Sequence, residues 1–164
     1  MKHGAFQDHY SDETSYCYGC GRFNEHGLRI KSYWDEEGVR TVCRFRPSRV
    51  YTALPGYVYG GLIASLIDCH GTGSAAAFAH HASGLELGSD PSLRFVTASL
   101  HVDFLAPTPI ECELVLLGFL DEIKGRRVVV RVELRAKGEL CAKGRVVAVR
   151  PRRLPINNGK SPDR

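Results

Sequence analysis

An aspartate within an apolar stretch is the first residue of this chain that suggests chemistry. Asp68 ends the run Leu-Ile-Ala-Ser-Leu-Ile-Asp, which follows the pair Gly60 and Gly61 and has the composition of a buried helix. An ionised carboxylate is rarely buried without a partner, because its removal from water is costly or drives it to neutrality. Asp68 therefore needs either a partner or a function.

The glycine pair supplies a second component of a possible reaction site. If a helix begins near Gly60 and Gly61, their amides have no intrahelical acceptor, and a ligand carbonyl can approach them closely. Asp68 lies seven residues beyond Gly61, close to two helical turns, so both point in nearly the same direction. An oxyanion site and an acid or base on one face suit acyl transfer.

Two other interpretations compete for this segment. Asp68 could be a structural carboxylate satisfied by neighbours such as Ser65, His70 or Thr72. The segment 57–79 is also long enough to span a membrane. A central aspartate would cost about 2.5 to 3.5 kcal/mol on insertion scales, and the many glycines weaken this interpretation further. We therefore predict no membrane span.

Composition and charge point to a single soluble domain. The chain has 164 residues, of which 43% are hydrophobic and 24% charged. Its net charge is +4, but the region from residue 144 onward contains six basic residues and one acid, so the remainder carries −1. We therefore predict no nucleic-acid partner and a flexible basic tail at 151–164. No secretory signal is visible, which predicts a cytoplasmic location.

The cysteines contain one pair with the spacing of metal ligands. Cys17 and Cys20 form a Cys-x-x-Cys motif, with His26 nearby. Because no second such pair completes a zinc site, we favour a tight turn over a metal site or a redox pair, and predict no metal. Three other cysteines lie in strand-like runs and are interpreted as small core residues: Cys43, Cys112 and Cys141.

The histidines of the helix do not suggest an alternative catalytic or metal site. His70 follows Asp68 by two residues and therefore lies about 200° around the helix from it, on another face. His80 and His81 have no partner set that would suggest a metal. Packing or surface positions are predicted for all three.

The rest of the chain has the pattern of strands around this single helix. The predicted strands are 27–34 and 39–46 before the helix, and 95–105, 110–120, 126–137 and 140–149 after it. Short links between the later strands indicate antiparallel neighbours. In 126–137 one face is apolar: Val128, Val130, Val132 and Leu134. One apolar sheet face and one long helix predict an α+β fold, with a curved sheet wrapped around the helix.

The same alternation assigns faces in the strand 95–105. Leu100, Val102 and Phe104 share the apolar face, whereas Ser99, His101 and Asp103 share the polar face. Strict alternation places Thr97 on the polar face as well.

This order of elements resembles the hotdog fold, and the motifs are similar to those of its acyl-CoA thioesterases of the phenylacetate-pathway (PaaI-like) type. The matching segments extend over most of the chain and stand in the family's order. They are CYGCGRFNEHGL at 17–28, PGYVYGG at 55–61, LIASLID at 62–68 and TASLHVDFLAP at 97–107.

The resemblance implies roles for individual residues. It makes Asp68 the base or nucleophile, Gly60 or Gly61 the oxyanion donor, and Thr97 a helper supplied by the neighbouring subunit. Where the family usually has histidine before the Gly-Gly pair, this chain has Tyr59. A tyrosine hydroxyl can donate a hydrogen bond but does not titrate near neutrality, so slower turnover or a different substrate is expected. We predict that Tyr59 contacts substrate together with Pro55 and Gly56.

The predicted function is hydrolysis of an acyl-CoA or acyl-carrier thioester, without any cofactor beyond the coenzyme A of the substrate. Self-association as a dimer or a dimer of dimers is expected, with sites between subunits. The predicted organisation is a lead-in at 1–26, a hotdog thioesterase domain at 27–150 and the tail. Two alternatives stay open: a hydratase or dehydratase on the same fold, and a non-catalytic acyl-thioester binding protein.

Overall fold

A computed structural model describes residues 4–89 and 94–153 of the chain. Within them lie one long helix, α1 (Gly60–Ala82), and three single-turn 3-10 helices at Phe6–His9, Asp12–Thr14 and Arg49–Tyr51. The strands are β1 (Ser32–Trp34), β2 (Thr41–Phe45), β3 (Val96–Phe104), β4 (Leu114–Lys124), β5 (Arg127–Ala136) and β6 (Glu139–Val149).

The strands form a single antiparallel sheet in the order β1-β2-β4-β5-β6-β3. α1 packs on one face of this sheet, mainly against β4, β5 and β6, while β1 and β3 are the edge strands. The predicted α+β architecture, a six-stranded sheet wrapped around one helix, is confirmed.

Small residues let the helix approach the sheet closely. A side chain at Gly71 of α1 would collide with Val146 of β6, and one at Gly144 of β6 would collide with Ile67 of α1. The apolar face predicted for β5 is buried, since Val130 and Leu134 have no exposed surface. The core therefore lies between α1 and the central strands.

Two strands, β1 and β4, begin four or more residues later than predicted, and local backbone geometry explains both differences. Arg29 adopts φ 55°, and the amides of Leu28 and Ile30 donate to the carbonyls of the N-terminal segment, so β1 begins only at Ser32. Glu111 adopts φ 63°, which delays the start of β4 to Leu114. The left-handed region is uncommon for residues other than glycine, and the sequence does not signal it here.

A β-bulge in β3 changes the predicted face of Thr97. The pairing of β3 with β6 shifts between Thr97 and Ser99, so Ala98 is an extra residue and the alternation breaks there. Thr97 lies opposite Ala148 of β6, which is fully buried against the helix side. Thr97 is exposed, as predicted, but it lies on the helix side of the sheet and not on the polar face, because opposite residues of an antiparallel pair share a face.

The N-terminal segment contributes to the core. Phe6 and Gln7 are buried, Phe6 stacks edge-on against Trp34, and Gln7 donates a hydrogen bond to Ser32. Of the predicted tail at 151–164, residues 151–153 are described and the others lie outside the described residues. No helix in the described part of the chain has the length and apolar character needed to cross a membrane.

Candidate active site

The first turn of α1 presents two free amides. Tyr59 is the N-cap, and its carbonyl accepts hydrogen bonds from the amides of Leu62 and Ile63. The amides of Gly60 and Gly61 have no acceptor among the described residues. The helix thus begins at the predicted glycine pair, with the free donors that an oxyanion requires.

Tyr59 limits access to these donors from one side. A Cβ atom on Gly61 would overlap the Tyr59 ring, so the ring lies against this glycine. A Cβ atom on Gly60 would lie 3.2 Å from Cζ of Phe104, a tight contact. Tyr59 itself is partly exposed, with its amide bonded to the carbonyl of Tyr51.

The turn before the helix carries the other predicted substrate contacts. Pro55 and Gly56 are exposed at its tip, and Gly56 adopts φ 89°. Their neighbours Leu54 and Tyr57 line an open groove of about 460 Å³, whereas Pro55 and Gly56 are not among its described lining residues. The groove is mainly apolar and reaches Gly60, Phe104 and the loop after β3. It is lined by Ala53, Leu54, Tyr57, Val58, Gly60, Ile63, Phe104, Leu105, Ala106, Pro107 and Thr108.

Asp68 is half-buried and has a specific partner. The Thr97 hydroxyl donates a hydrogen bond to Oδ1 of Asp68. Partial burial raises the pKa of the Asp68 carboxyl, and the bond from Thr97 opposes this rise because it favours the ionised form. The positive charge of Arg94 lies close enough to lower the pKa as well. Arg94 was missed by sequence reasoning, since a lone arginine in a loop carries no signal.

The contact between Thr97 and Asp68 lies within one chain. The resemblance implies that Thr97 acts on the neighbouring subunit, but the structure places it against Asp68 of its own chain. The bulge at Ala98 is the physical reason, because it turns Thr97 toward the helix.

Gly61 and Asp68 share the open face of α1 but stand far apart. Gly61 is exposed, and Ala64, Ser65 and Asp68 are half-buried, so this stripe of the helix is open. Seven residues at the helical rise separate Gly61 from Asp68 by about 10 Å along the axis. No carbonyl can therefore contact the Gly61 amide and the Asp68 carboxylate of one chain directly.

The histidine environments agree with the predicted packing and surface positions. His70 is fully buried, with Nδ1 2.9 Å from the Ser32 hydroxyl, and burial lowers the pKa of His70 to about 3. His80 is buried in the last turns of α1, and His81 is exposed. None of the three contacts Asp68 among the described hydrogen bonds.

A third thiol joins the Cys-x-x-Cys pair. Cys17 and Cys20 form the predicted tight turn, with the Gly21 amide 2.7 Å from the Cys17 carbonyl. Cys69 of α1 completes a group whose three sulfur atoms lie within 4.8 Å of one another. The sequence motif identifies only the pair, although Cys69 directly follows Asp68.

Comparison with known proteins identifies the family. The model of the thioesterase superfamily matches residues 55–150. Acyl-coenzyme A thioesterase THEM4 of Xenopus laevis is 28% identical over 110 residues, which are 67% of this chain and 44% of that protein. The Bos taurus THEM4 protein is 28% identical over 113 residues, covering 69% of this chain and 41% of that protein. The chain thus spans less than half the length of these curated relatives.

Solved structures agree with this assignment. A thioesterase superfamily protein from Shewanella loihica PV-4 is 47% identical, with a TM-score of 0.64 and coverage of 85% of this chain and 97% of that one. The PaaI protein of E. coli is 16% identical, with a TM-score of 0.57 and coverage of 68% and 72%, and thus shares the fold. The predicted resemblance to PaaI-like hotdog thioesterases is confirmed. Because the family model matches more than half of its residues, the chain belongs to the thioesterase superfamily.

Proposed function

We propose that this protein hydrolyses an acyl-CoA thioester, with Asp68 as general base. One observation supports this most directly: a half-buried carboxylate, held by the Thr97 hydroxyl, lies on the same open helix face as Gly61. The thioesterase activity named for the THEM4 relatives supports the same reaction.

In the proposed reaction a water molecule attacks the thioester carbonyl carbon. Asp68 takes the proton of the water, and the amides of Gly60 and Gly61 stabilise the developing oxyanion. The carbon–sulfur bond then breaks, and the proton passes from Asp68 to the departing thiolate. Free acid and thiol are the products. Thr97 keeps one carboxylate oxygen occupied, which leaves the other to face the water.

The groove beside Gly60 is the proposed site of the acyl group. Its lining is mainly apolar, and its volume of about 460 Å³ lies in the range of small-molecule sites. Because Gly60 forms one end of it, an acyl chain in the groove places its carbonyl next to the free amides. Leu54, Tyr57 and Phe104 are the residues that would contact the chain.

A second copy of the chain would complete the site. The separation of about 10 Å along α1 keeps the Gly61 amide and the Asp68 carboxylate of one chain from both contacting one carbonyl directly. Two α1 helices packed antiparallel by their open faces would bring Gly61 of each to Asp68 of the other. The edge strand β3 supports such pairing, since Leu100 and Phe104 on its apolar face are 38% and 57% exposed. Homodimerisation is therefore part of the proposal.

The first test measures thiol release from a panel of short, long and aromatic acyl-CoA substrates. The proposal expects turnover of at least one of them by the wild-type protein and its loss in Asp68→Asn. Asp103→Asn, on the exposed polar face of β3, is the matched control. Tight acyl-CoA binding without thiol release would instead favour a binding protein.

The second test mixes two inactive variants. Asp68→Asn combined with Gly61→Val should restore about a quarter of wild-type activity, because half of the random dimers are mixed and each holds one native site. Asp68→Asn combined with Thr97→Ala, which keeps part of its activity, should add nothing to the residual activity of Thr97→Ala, since both residues act from one chain. The opposite pattern would refute the shared site.

A hydratase or dehydratase reaction receives no support from the described residues. That chemistry would need a histidine close to Asp68, but the His70 side chain points into the core toward Ser32. His101 pairs with Asp103 on the exposed polar face of β3, away from the helix.

A further inference from the structure

Three thiols from two distant parts of the sequence converge beside α1. Cys17 and Cys20 come from the N-terminal turn and Cys69 from the helix, with Cys17 Sγ 3.8 Å from Cys69 Sγ. Cys20 and Cys69 are only 3% and 6% exposed, and Cys17 is half-buried. All three are free thiols.

The spacing of these sulfur atoms fits a tetrahedral metal ion. With Zn–S bonds of about 2.3 Å, two ligands of a tetrahedral zinc ion lie about 3.8 Å apart. That is the distance between Cys17 Sγ and Cys69 Sγ, and it is far longer than a disulfide bond. Thiolates are the ligands that zinc and other soft metals prefer.

The turn that carries Cys17 and Cys20 is built around the sulfur of Cys17. The thiols of Cys20 and Cys69 and the amides of Cys20 and Gly19 lie close to this sulfur, and together they lower the pKa of Cys17. A side chain at Gly19 would collide with the Cys69 sulfur. The missing side chain therefore gives Cys69 its place in the cluster.

A fixed cation lies against the same group. Nη2 of Arg94 is 3.9 Å from the Cys20 sulfur, and its guanidinium stacks on the Tyr10 ring with 3.9 Å between the carbon and the ring centroid. Zinc bound by three thiolates carries a single net negative charge, and Arg94 is placed to neutralise it.

We propose that Cys17, Cys20 and Cys69 bind one Zn²⁺ ion, with the fourth coordination position held by a water molecule. Each thiol loses its proton to solvent on binding, and no electron transfer is involved. The ion would tie the N-terminal turn to α1 directly behind Asp68. This site is independent of the proposed hydrolysis, so its test does not depend on activity.

The test titrates Zn²⁺, and separately Co²⁺, into the reduced full-length protein freed of metal. One equivalent of Zn²⁺ should bind, and Co²⁺ should produce thiolate-to-metal charge transfer in the near ultraviolet and the visible bands of tetrahedral coordination. Absence of Zn²⁺ binding, or a Co²⁺ spectrum without charge transfer, would overturn the proposal. A disulfide among the three cysteines in protein that holds no zinc would overturn it too.

Variants identify the ligands. Replacing Cys17, Cys20 or Cys69 by serine should each weaken Zn²⁺ binding by more than about 100-fold, since changes even beyond the ligands cost 10- to 100-fold. Cys43→Ser, a buried thiol of β2 outside the cluster, should leave the affinity unchanged. Circular dichroism confirms that each variant is folded. Equal zinc affinity in the wild-type protein and all three ligand variants would contradict the assignment.

Discussion

Asp68 and His70 stand two residues apart on α1 and have opposite environments. Asp68 lies on the open face with one hydroxyl partner, Thr97, and its second carboxylate oxygen has no hydrogen bond to the described residues. His70 lies on the core face with no exposed surface, between the hydroxyls of Ser32 and Thr41. Both are titratable groups in a long apolar helix, and a hydroxyl bonds to each.

The difference shows that helical phase, and not residue type, decides which group can react. A step of two residues turns a side chain by about 200° around the helix axis, from solvent to core. The hydroxyls around His70 occupy its ring nitrogens, and burial keeps the ring neutral. The partner of Asp68 leaves the carboxylate reachable by water. We therefore expect activity to depend on Asp68 and stability to depend on His70.

Removal of the base should have the largest effect. Asp68→Asn preserves the shape of the side chain and its bond to Thr97 but cannot accept a proton from water. Because a positioned general base contributes about 10²- to 10⁴-fold, kcat should fall by that factor while KM changes little. Steady-state thiol release measures this, and thermal unfolding should match the wild type. A folded variant with unchanged kcat would remove Asp68 from the mechanism.

Obstruction of the free amides of Gly60 and Gly61 should have the second-largest effect on kcat. A methyl group in Gly61→Ala would displace the Tyr59 ring toward the approach to the amides. Loss of one oxyanion donor costs about 10²- to 10³-fold in rate, so a reduced kcat is expected. Tyr59→Phe combined with Gly61→Ala distinguishes the effect of the displaced ring from the effect of the Tyr59 hydroxyl. Full activity in both Gly60→Ala and Gly61→Ala would exclude these amides as oxyanion donors.

The buried histidine should show the converse behaviour. His70→Ala leaves the Ser32 hydroxyl without its imidazole partner and opens a cavity, with an expected loss of about 2 to 4 kcal/mol of unfolding free energy. Urea unfolding measures this loss. At a temperature where the variant is folded, kcat per folded molecule should stay near the wild-type value. A specific loss of kcat in the folded variant would abolish the contrast with Asp68.

The Thr97 hydroxyl should have the smallest effect on the rate. Thr97→Ala removes the only described hydrogen bond to the Asp68 carboxylate, and one such bond corresponds to about a tenfold change in kcat. Thr97→Ser should restore most of the activity, because it keeps the hydroxyl. Ser99→Ala, on the polar face of β3, is the matched control. Equal kcat values in the wild type and all three variants would show that the Thr97 hydroxyl has no part in the reaction.

The sequence predicted the architecture because its periodicities are strong and local. The alternation in β5 and the glycines that begin α1 each identify an element without tertiary information. The strand starts were less predictable, since the left-handed backbone at Arg29 and Glu111 depends on contacts between distant segments.

Site residues could be predicted where they lie on the helix, but not where a strand irregularity positions them. The positions of Gly61 and Asp68 on one face follow from helix geometry alone. The face of Thr97 depends on one extra residue, Ala98, which alternation does not reveal. Cys69 and Arg94 reach the N-terminal turn only through tertiary packing.

The sheet order also has a consequence for the route by which this chain folds. β4, β5 and β6 are consecutive neighbours joined by tight turns, so their pairing closes short loops at low entropic cost. β3 pairs only with β6 among the described strands, and Val96 lies opposite Val149 across a long stretch of chain. We expect the hairpins to form early and β3 to dock late. Thr97 would then reach Asp68 in one of the last folding steps, so sheet structure should recover before activity during refolding.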